Sequence, residues 1–93
     1  MADFKFYLVY IKAKSGVTEE AITTKLNLAN DWYRLGGGAW VLYTNSDADK
    51  WFARLSPLVK QDGYLFITLL DISDKQGWMK KDFWKWLRRE ADS

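Results

Sequence analysis

Apolar residues in this chain are concentrated in short runs that are typical of β-strands. The first run, residues 4–11, is rich in aromatic and β-branched side chains and contains no glycine or proline. Both faces of a strand formed by this run would carry apolar side chains. A strand of this kind is predicted to lie in the centre of a sheet, with both of its faces covered. Further strands are predicted at residues 31–35, 39–44 and 64–70, and Gly36-Gly37-Gly38 is predicted to form the hairpin turn between the second and the third.

Two helices are predicted between these strands. Thr18 is a suitable N-cap for the first, which is expected to end near Asn30. In the second, Ser46 followed by Asp49 is close to a capping box, so Ser46 is predicted as the cap. Pro57 is expected to end this helix near Ser56, because proline clashes with the preceding turn and has no N–H to donate.

A third helix is predicted at residues 78–89, with apolar residues near one stripe and basic residues on the other side. The element order is then βαββαβ plus a C-terminal helix, which is the split βαβ pattern. We therefore predict an α+β class with a ferredoxin-like antiparallel sheet in the order 4-1-3-2. Residues 1–93 form a single domain in this interpretation, with a core at about 4–71. The face opposite the two main helices is expected to be covered by the C-terminal helix or by a second copy of the chain.

Composition narrows the chemistry open to the chain. It contains no cysteine and no histidine, which removes disulfides, thiolate chemistry, the commonest general base and the commonest zinc ligand. No apolar run is long enough to span a bilayer and the first residues do not resemble a signal peptide, so a cytoplasmic location and no membrane partner are expected. The net charge of +2 is too small to indicate nucleic-acid binding by itself.

Basic and aromatic residues alternate near the C-terminus, a pattern found in proteins that stack bases and neutralise phosphates. A helix with buried aromatic residues and a solvated lysine face is the competing interpretation. The predicted nucleic-acid contacts are Lys12, Lys14, Lys80, Lys81, Lys85, Arg88 and Arg89. The chain also has six tryptophans, more than a small core usually needs, and those predicted at an interface are Trp32, Trp40, Trp78, Trp84 and Trp86.

Several segments in common order and spacing resemble the small CRISPR-associated ferredoxin-fold endoribonucleases, and most of all their stand-alone SinR-like branch related to virulence-associated protein D. The segments that carry the resemblance are Tyr7-Leu8-Val9, Ala39-Trp40-Val41-Leu42-Tyr43-Thr44 with Ser46-Asp47-Ala48, Asp62-Gly63-Tyr64-Leu65-Phe66-Ile67, Gly77-Trp78-Met79, and Trp84-Lys85-Trp86-Leu87. The resemblance implies a homodimer and a role linked to nucleic acid or to defence against mobile elements.

The resemblance also implies a metal-binding aspartate just after the first strand, but the matching position in this chain is Lys12. A lysine would repel the magnesium ion that such hydrolysis needs. The leading hypothesis is therefore a non-catalytic homodimer that binds DNA, RNA or a protein partner and has no resident cofactor.

Two alternatives stay open. One is a magnesium-dependent endoribonuclease that uses Asp71 with Asp3 or Asp74, although Asp71-Ile72-Ser73-Asp74 is also well placed to cap a turn by side-chain to backbone hydrogen bonds. The other is a small interaction or inhibitor protein that acts through an aromatic surface.

Overall fold

The computed structural model describes residues 3–89. Its elements follow the predicted order. They are β1 (Lys5–Lys12), α1 (Glu19–Leu26), β2 (Asp31–Gly36), β3 (Ala39–Thr44), α2 (Ala48–Leu55), a short 3₁₀ helix (Ser56–Leu58), β4 (Tyr64–Leu70) and α3 (Lys81–Leu87).

The four strands form one antiparallel sheet in the order β2-β3-β1-β4. The central strand β1 pairs with β3 on one side, where Tyr7 lies opposite Leu42, and with β4 on the other, where Tyr7 lies opposite Leu69. The prediction of an α+β protein with a four-stranded antiparallel sheet and a third, C-terminal helix is confirmed.

Helices cover both faces of the sheet, which explains why β1 is apolar on both sides. Val9 and Leu42 point into a core that α1 and α2 close with Leu26, Trp51 and Leu55, all of them buried. On the other face, a smaller cluster joins β1 and β3 to α3. Its buried members are Phe6, Val41, Phe83 and Leu87.

The helix caps agree with the sequence prediction at one helix and correct it at the other. Thr18 Oγ1 accepts a hydrogen bond from the backbone N–H of Ala21 at 3.2 Å, as expected of an N-cap. At α2 the cap is Asp47, whose Oδ1 accepts from the Lys50 N–H at 3.0 Å, so the prediction of Ser46 was wrong. Ser46 Oγ instead accepts a hydrogen bond from Arg54 Nη1 at 3.2 Å.

Two helices are shorter than predicted. α1 ends at Leu26 because the following N–H groups of Leu28 and Ala29 bond three residues back, which makes a tight turn instead of another α-helical turn. α3 begins only at Lys81, since Lys80 is extended, with ψ of 151°, and no side chain caps the helix start. None of the helices in residues 3–89 is long and apolar enough to cross a membrane.

Candidate nucleic-acid interface

Three exposed aromatic rings occupy the part of the α3-covered face that α3 leaves open. Tyr10 on β1 is 40% exposed, and Tyr64 and Phe66 on β4 are 64% and 60% exposed. Side chains alternate along a strand, so Tyr10 lies on the same face as Phe6, which packs under α3. We call Tyr10, Tyr64 and Phe66 the aromatic platform.

The strand register brings the platform together. Tyr10 lies directly opposite Phe66, and Lys12 lies directly opposite Tyr64. Residues directly opposite in an antiparallel pair have Cβ atoms about 4.5–5.5 Å apart, so their side chains are neighbours. Lys12 Nζ lies 5.7 Å from the centre of the Tyr64 ring. The platform is therefore a contiguous aromatic surface with a cation at its edge.

The glycine turn between β2 and β3 lies beside this surface and leaves it open. Gly38 has a φ of +87° and its carbonyl accepts a hydrogen bond from the Ile11 N–H at 2.8 Å. A Cβ on Gly38 would lie 2.7 Å from the Ile11 carbonyl oxygen and 3.6 Å from a ring carbon of Tyr10. Glycine thus permits the turn, because a Cβ at this position would clash with the Ile11 carbonyl oxygen.

Basic side chains of α3 lie over the same face of the sheet. Phe83 and Leu87 point toward the sheet, so Lys81 and Lys85, each offset from them by two positions, point outward and are exposed. Lys80 and Arg88 are also exposed, and Lys14 is half-buried in the loop after β1. The structure therefore brings most of the predicted phosphate contacts onto the side of the protein that carries the platform.

Arg89 is fixed by contacts within the chain. Its Nη1 lies 2.9 Å from Asp31 Oδ2, and its guanidinium carbon lies 4.3 Å from the centre of the Tyr43 ring. Trp86 Nε1 donates to the same carboxylate oxygen at 2.9 Å. Asp31 thus links β2 to α3 and holds the helix on the sheet.

The pKa of Asp31 reflects this role. Partial burial raises it, but hydrogen bonds from Arg89, the Trp32 N–H and Trp86 outweigh the burial, so the pKa of Asp31 lies below its usual 3.8. A carboxylate with a depressed pKa stabilises the folded state at pH values above its unfolded pKa, and this contribution is lost as the pH falls through the folded pKa.

Replacing Asp31 by asparagine is expected to lower the free energy of unfolding by about 1 kcal/mol near neutral pH, a modest value because the side chain is partly exposed. The difference from the unmodified protein should shrink as the pH falls below about 4, because the contribution of the carboxylate is lost as the pH passes through the depressed folded-state pKa of Asp31. Urea denaturation near neutral pH and below about pH 4 measures this difference in the free energy of unfolding. Asp74→Asn, at an exposed position, is the matched control, and equal effects of the two substitutions would contradict the linking role of Asp31.

The tryptophans predicted at an interface fall into distinct environments. Trp40 is 2% exposed in the core under α1 and α2, where the half-buried Trp32 meets it edge to face at 5.2 Å between ring centres. The half-buried Trp86 packs against Phe6 of β1 and so helps to attach α3 to the sheet, whereas the half-buried Trp84 packs against its neighbour Phe83 on the same helix. By contrast, Trp78 precedes α3 and is 99% exposed, so its whole ring is accessible.

The aspartates proposed for metal binding do not converge on one site. Asp71 Oδ1 accepts hydrogen bonds from the Ser73 hydroxyl at 2.5 Å and from the Ser73 backbone N–H at 3.0 Å, and these lower the pKa of Asp71. Asp71 and Asp74 line one groove near α3, whereas Asp3 lines a different recess beside Asp47. Within residues 3–89, no group of three or more acidic, histidine or cysteine side chains is arranged to hold a metal ion. Lys12 lies at the end of β1, at the position where the resemblance implies a metal-binding aspartate.

The platform residues were not among the sites proposed from sequence. Tyr10, Tyr64 and Phe66 were interpreted only as strand residues, because a strand that is apolar on both faces does not reveal which face is left open. The alternation of side chains along a strand could have indicated this surface. It places Tyr10 and Lys12 on one face of β1, and Tyr64 and Phe66 on one face of β4. Comparisons of the chain with protein-family models, with curated proteins and with solved structures find no match.

Proposed function

We propose that this protein binds single-stranded nucleic acid on the open part of its sheet and does not catalyse a reaction. The observation that carries the proposal is the aromatic platform, three exposed rings in adjacent register positions with Lys12 beside them. Exposed aromatic rings on a four-stranded sheet can stack unpaired bases, and neighbouring cations can neutralise the phosphates.

The distribution of charge supports the same surface. Between Lys80 and Arg89 the chain carries one acidic side chain, Asp82, and five basic side chains, of which Arg89 is paired with Asp31. α1 and α2, on the opposite face, mix both signs and carry the acidic residues Glu19 and Asp49 in their first turns. A strand of nucleic acid whose bases stack on the platform would have basic side chains of α3 on the same side of the sheet to receive its phosphates.

Single strands fit this surface better than duplexes. The faces of the bases are available for stacking only when they are unpaired, whereas a duplex offers its backbone and groove edges. Stacking uses the aromatic face that every base has, so it distinguishes poorly between one base and another. Binding is therefore expected to tolerate many sequences and to weaken strongly with added salt.

The remaining elements of the proposal concern fold and lineage. We interpret the βαββαβ order as a ferredoxin-like fold, and the resemblance to CRISPR-associated nucleases is compatible with a relative that kept nucleic-acid binding without the metal site. Lys12, in place of the metal-binding aspartate, supports the absence of magnesium-dependent cleavage. A cytoplasmic location, where nucleic acid is accessible, belongs to the same proposal.

Phe66→Ala is expected to weaken binding of a labelled single-stranded RNA or DNA by roughly 5- to 100-fold, because one base loses its stacking partner. Fluorescence anisotropy at low ionic strength measures this change. Phe52→Ala is the matched control: Phe52 is 57% exposed, close to the 60% of Phe66, but lies on α2 at the opposite face. The affinity of the Phe52→Ala variant is expected to stay within about twofold of that of the unmodified protein.

Three results would contradict the proposal. They are no binding to any single strand at low salt, equal effects of Phe66→Ala and Phe52→Ala, or equal affinity for a duplex and a single strand of the same length. Recovery of labelled RNA intact after incubation with magnesium tests the non-catalytic part, and cleavage that copurifies with the protein and requires magnesium would overturn that part.

A further inference from the structure

The two edges of the sheet differ in how well they are protected against pairing with another strand. An edge strand presents unpaired backbone N–H and C=O groups, and proteins usually block such edges with charges, prolines or bulges. At one edge, β2 carries Asp31, Arg34 and Gly36, and its pairing with β3 is interrupted by a register shift between Arg34 and Gly36. Arg34 also forms an ion pair with Glu19 at 2.9 Å. This edge is blocked.

At the other edge, β4 has none of these features. Its seven residues, Tyr-Leu-Phe-Ile-Thr-Leu-Leu, include no charged residue, no proline and no glycine, and every one of them from Tyr64 to Leu70 pairs with β1 in an unbroken register. The described residues place no strand on its outer side. Apolar side chains are exposed on both of its faces, with Leu69 54% exposed on the α1–α2 face and Phe66 60% exposed on the α3 face.

We propose that β4 pairs antiparallel with β4 of a second copy of this chain, which gives a two-fold dimer with a continuous eight-stranded sheet. A two-fold axis at Ile67 pairs all seven residues, with Tyr64 opposite Leu70, Leu65 opposite Leu69, Phe66 opposite Thr68, and Ile67 opposite itself. Two residues that lie opposite each other are both even-numbered or both odd-numbered, so their side chains point to the same face of the sheet. No charged residue is brought into the strand pair.

The proposed dimer would bring the two nucleic-acid-binding surfaces together. An axis perpendicular to the sheet keeps the α3 faces of both copies on the same side, so the two aromatic platforms adjoin across the new strand pair. This consequence rests on the proposed function, whereas the dimer itself does not and can be measured without nucleic acid.

The molar mass in solution, by light scattering on a sizing column from micromolar concentration upward, tests the proposal. The unmodified chain is expected to give a dimer, and Leu69→Lys is expected to weaken it by roughly tenfold or more, because an exposed apolar side chain at the interface becomes charged. Leu28→Lys is the matched control, since Leu28 is 59% exposed and lies just after α1, away from β4. A monomer at all concentrations, or equal effects of the two substitutions, would overturn the proposal.

A second measurement does not depend on disrupting the interface. The chain has no cysteine, so a single introduced cysteine can form a disulfide only between copies. Ile67→Cys lies at the proposed axis, where the separation of opposite Cα atoms suits a disulfide. Mild oxidation should convert it to a covalent dimer, with Leu28→Cys as the control. Failure of Ile67→Cys to crosslink above the level of Leu28→Cys would exclude this register.

Discussion

Replacing Trp51 by alanine is expected to lower the free energy of unfolding by about 3–5 kcal/mol, a large part of the stability of a domain of this size. Trp51 is completely buried between α2 and the sheet. Its Nε1 donates a hydrogen bond to Thr44 Oγ1 at 3.2 Å, and the Arg54 guanidinium carbon lies 4.6 Å from the centre of its ring. The substitution leaves a cavity in the core and removes both contacts.

Trp78→Ala is the matched control for this prediction. It removes the same side chain from a position that is 99% exposed, so its expected effect on stability is below about 0.5 kcal/mol. Urea denaturation followed by far-ultraviolet circular dichroism measures both variants without relying on tryptophan fluorescence. Similar losses in the two variants would contradict the assignment of Trp51 to the core.

Reversing two charges on α3 is expected to produce the largest change in nucleic-acid binding. The double substitution Lys81→Glu and Lys85→Glu should reduce affinity for single strands at low salt by roughly 10- to 100-fold, because two phosphate contacts become repulsive. The dependence of the logarithm of affinity on the logarithm of salt concentration should also become less steep by roughly 1.4, since each contact with a single strand contributes about 0.7. Both lysines are exposed and lie outside the buried Phe83–Leu87 stripe, so α3 should stay folded.

A control with the same change in net charge separates a binding surface from a general charge effect. Lys25→Glu and Lys50→Glu alter exposed lysines of α1 and α2, on the opposite face of the sheet. This variant is expected to lose much less affinity and to keep the salt dependence of the unmodified protein. If both double variants lose affinity equally, then phosphates are not bound by α3 and the proposed surface is wrong.

The two faces of the sheet thus differ in their proposed roles. One is closed by α1 and α2 over a core that contains Trp40, Trp51 and Leu42. The other is only partly closed by α3, which Asp31 holds in place through Trp86 and Arg89. Because α3 covers only part of that face, the platform stays exposed beside a stable scaffold.

Much of the local structure was predictable because its causes lie in neighbouring residues. The alternation and β-branching of residues 39–44 and 64–70 predicted β3 and β4 with the bounds that the structure has. Thr18 at the start of α1 and the glycines of the β2–β3 turn likewise act through their own backbone geometry. The prediction that Asp71 is well placed to stabilise a turn agrees with its two hydrogen bonds to Ser73.

Tertiary structure decided which side chains are available to a partner. Trp40 and Trp78 are the same residue type and were both predicted at an interface, yet one is 2% and the other 99% exposed. That difference depends on where α1, α2 and α3 pack, which is a long-range property.

From its own pattern, then, the sequence determined the class of fold, the order of its elements and the absence of cysteine and histidine chemistry. The structure alone decided that α3 leaves Tyr10, Tyr64 and Phe66 uncovered and that Asp31 ties α3 to β2. The physical reason is that strands and turns form from interactions between near neighbours, whereas an exposed surface is what remains after distant segments have packed.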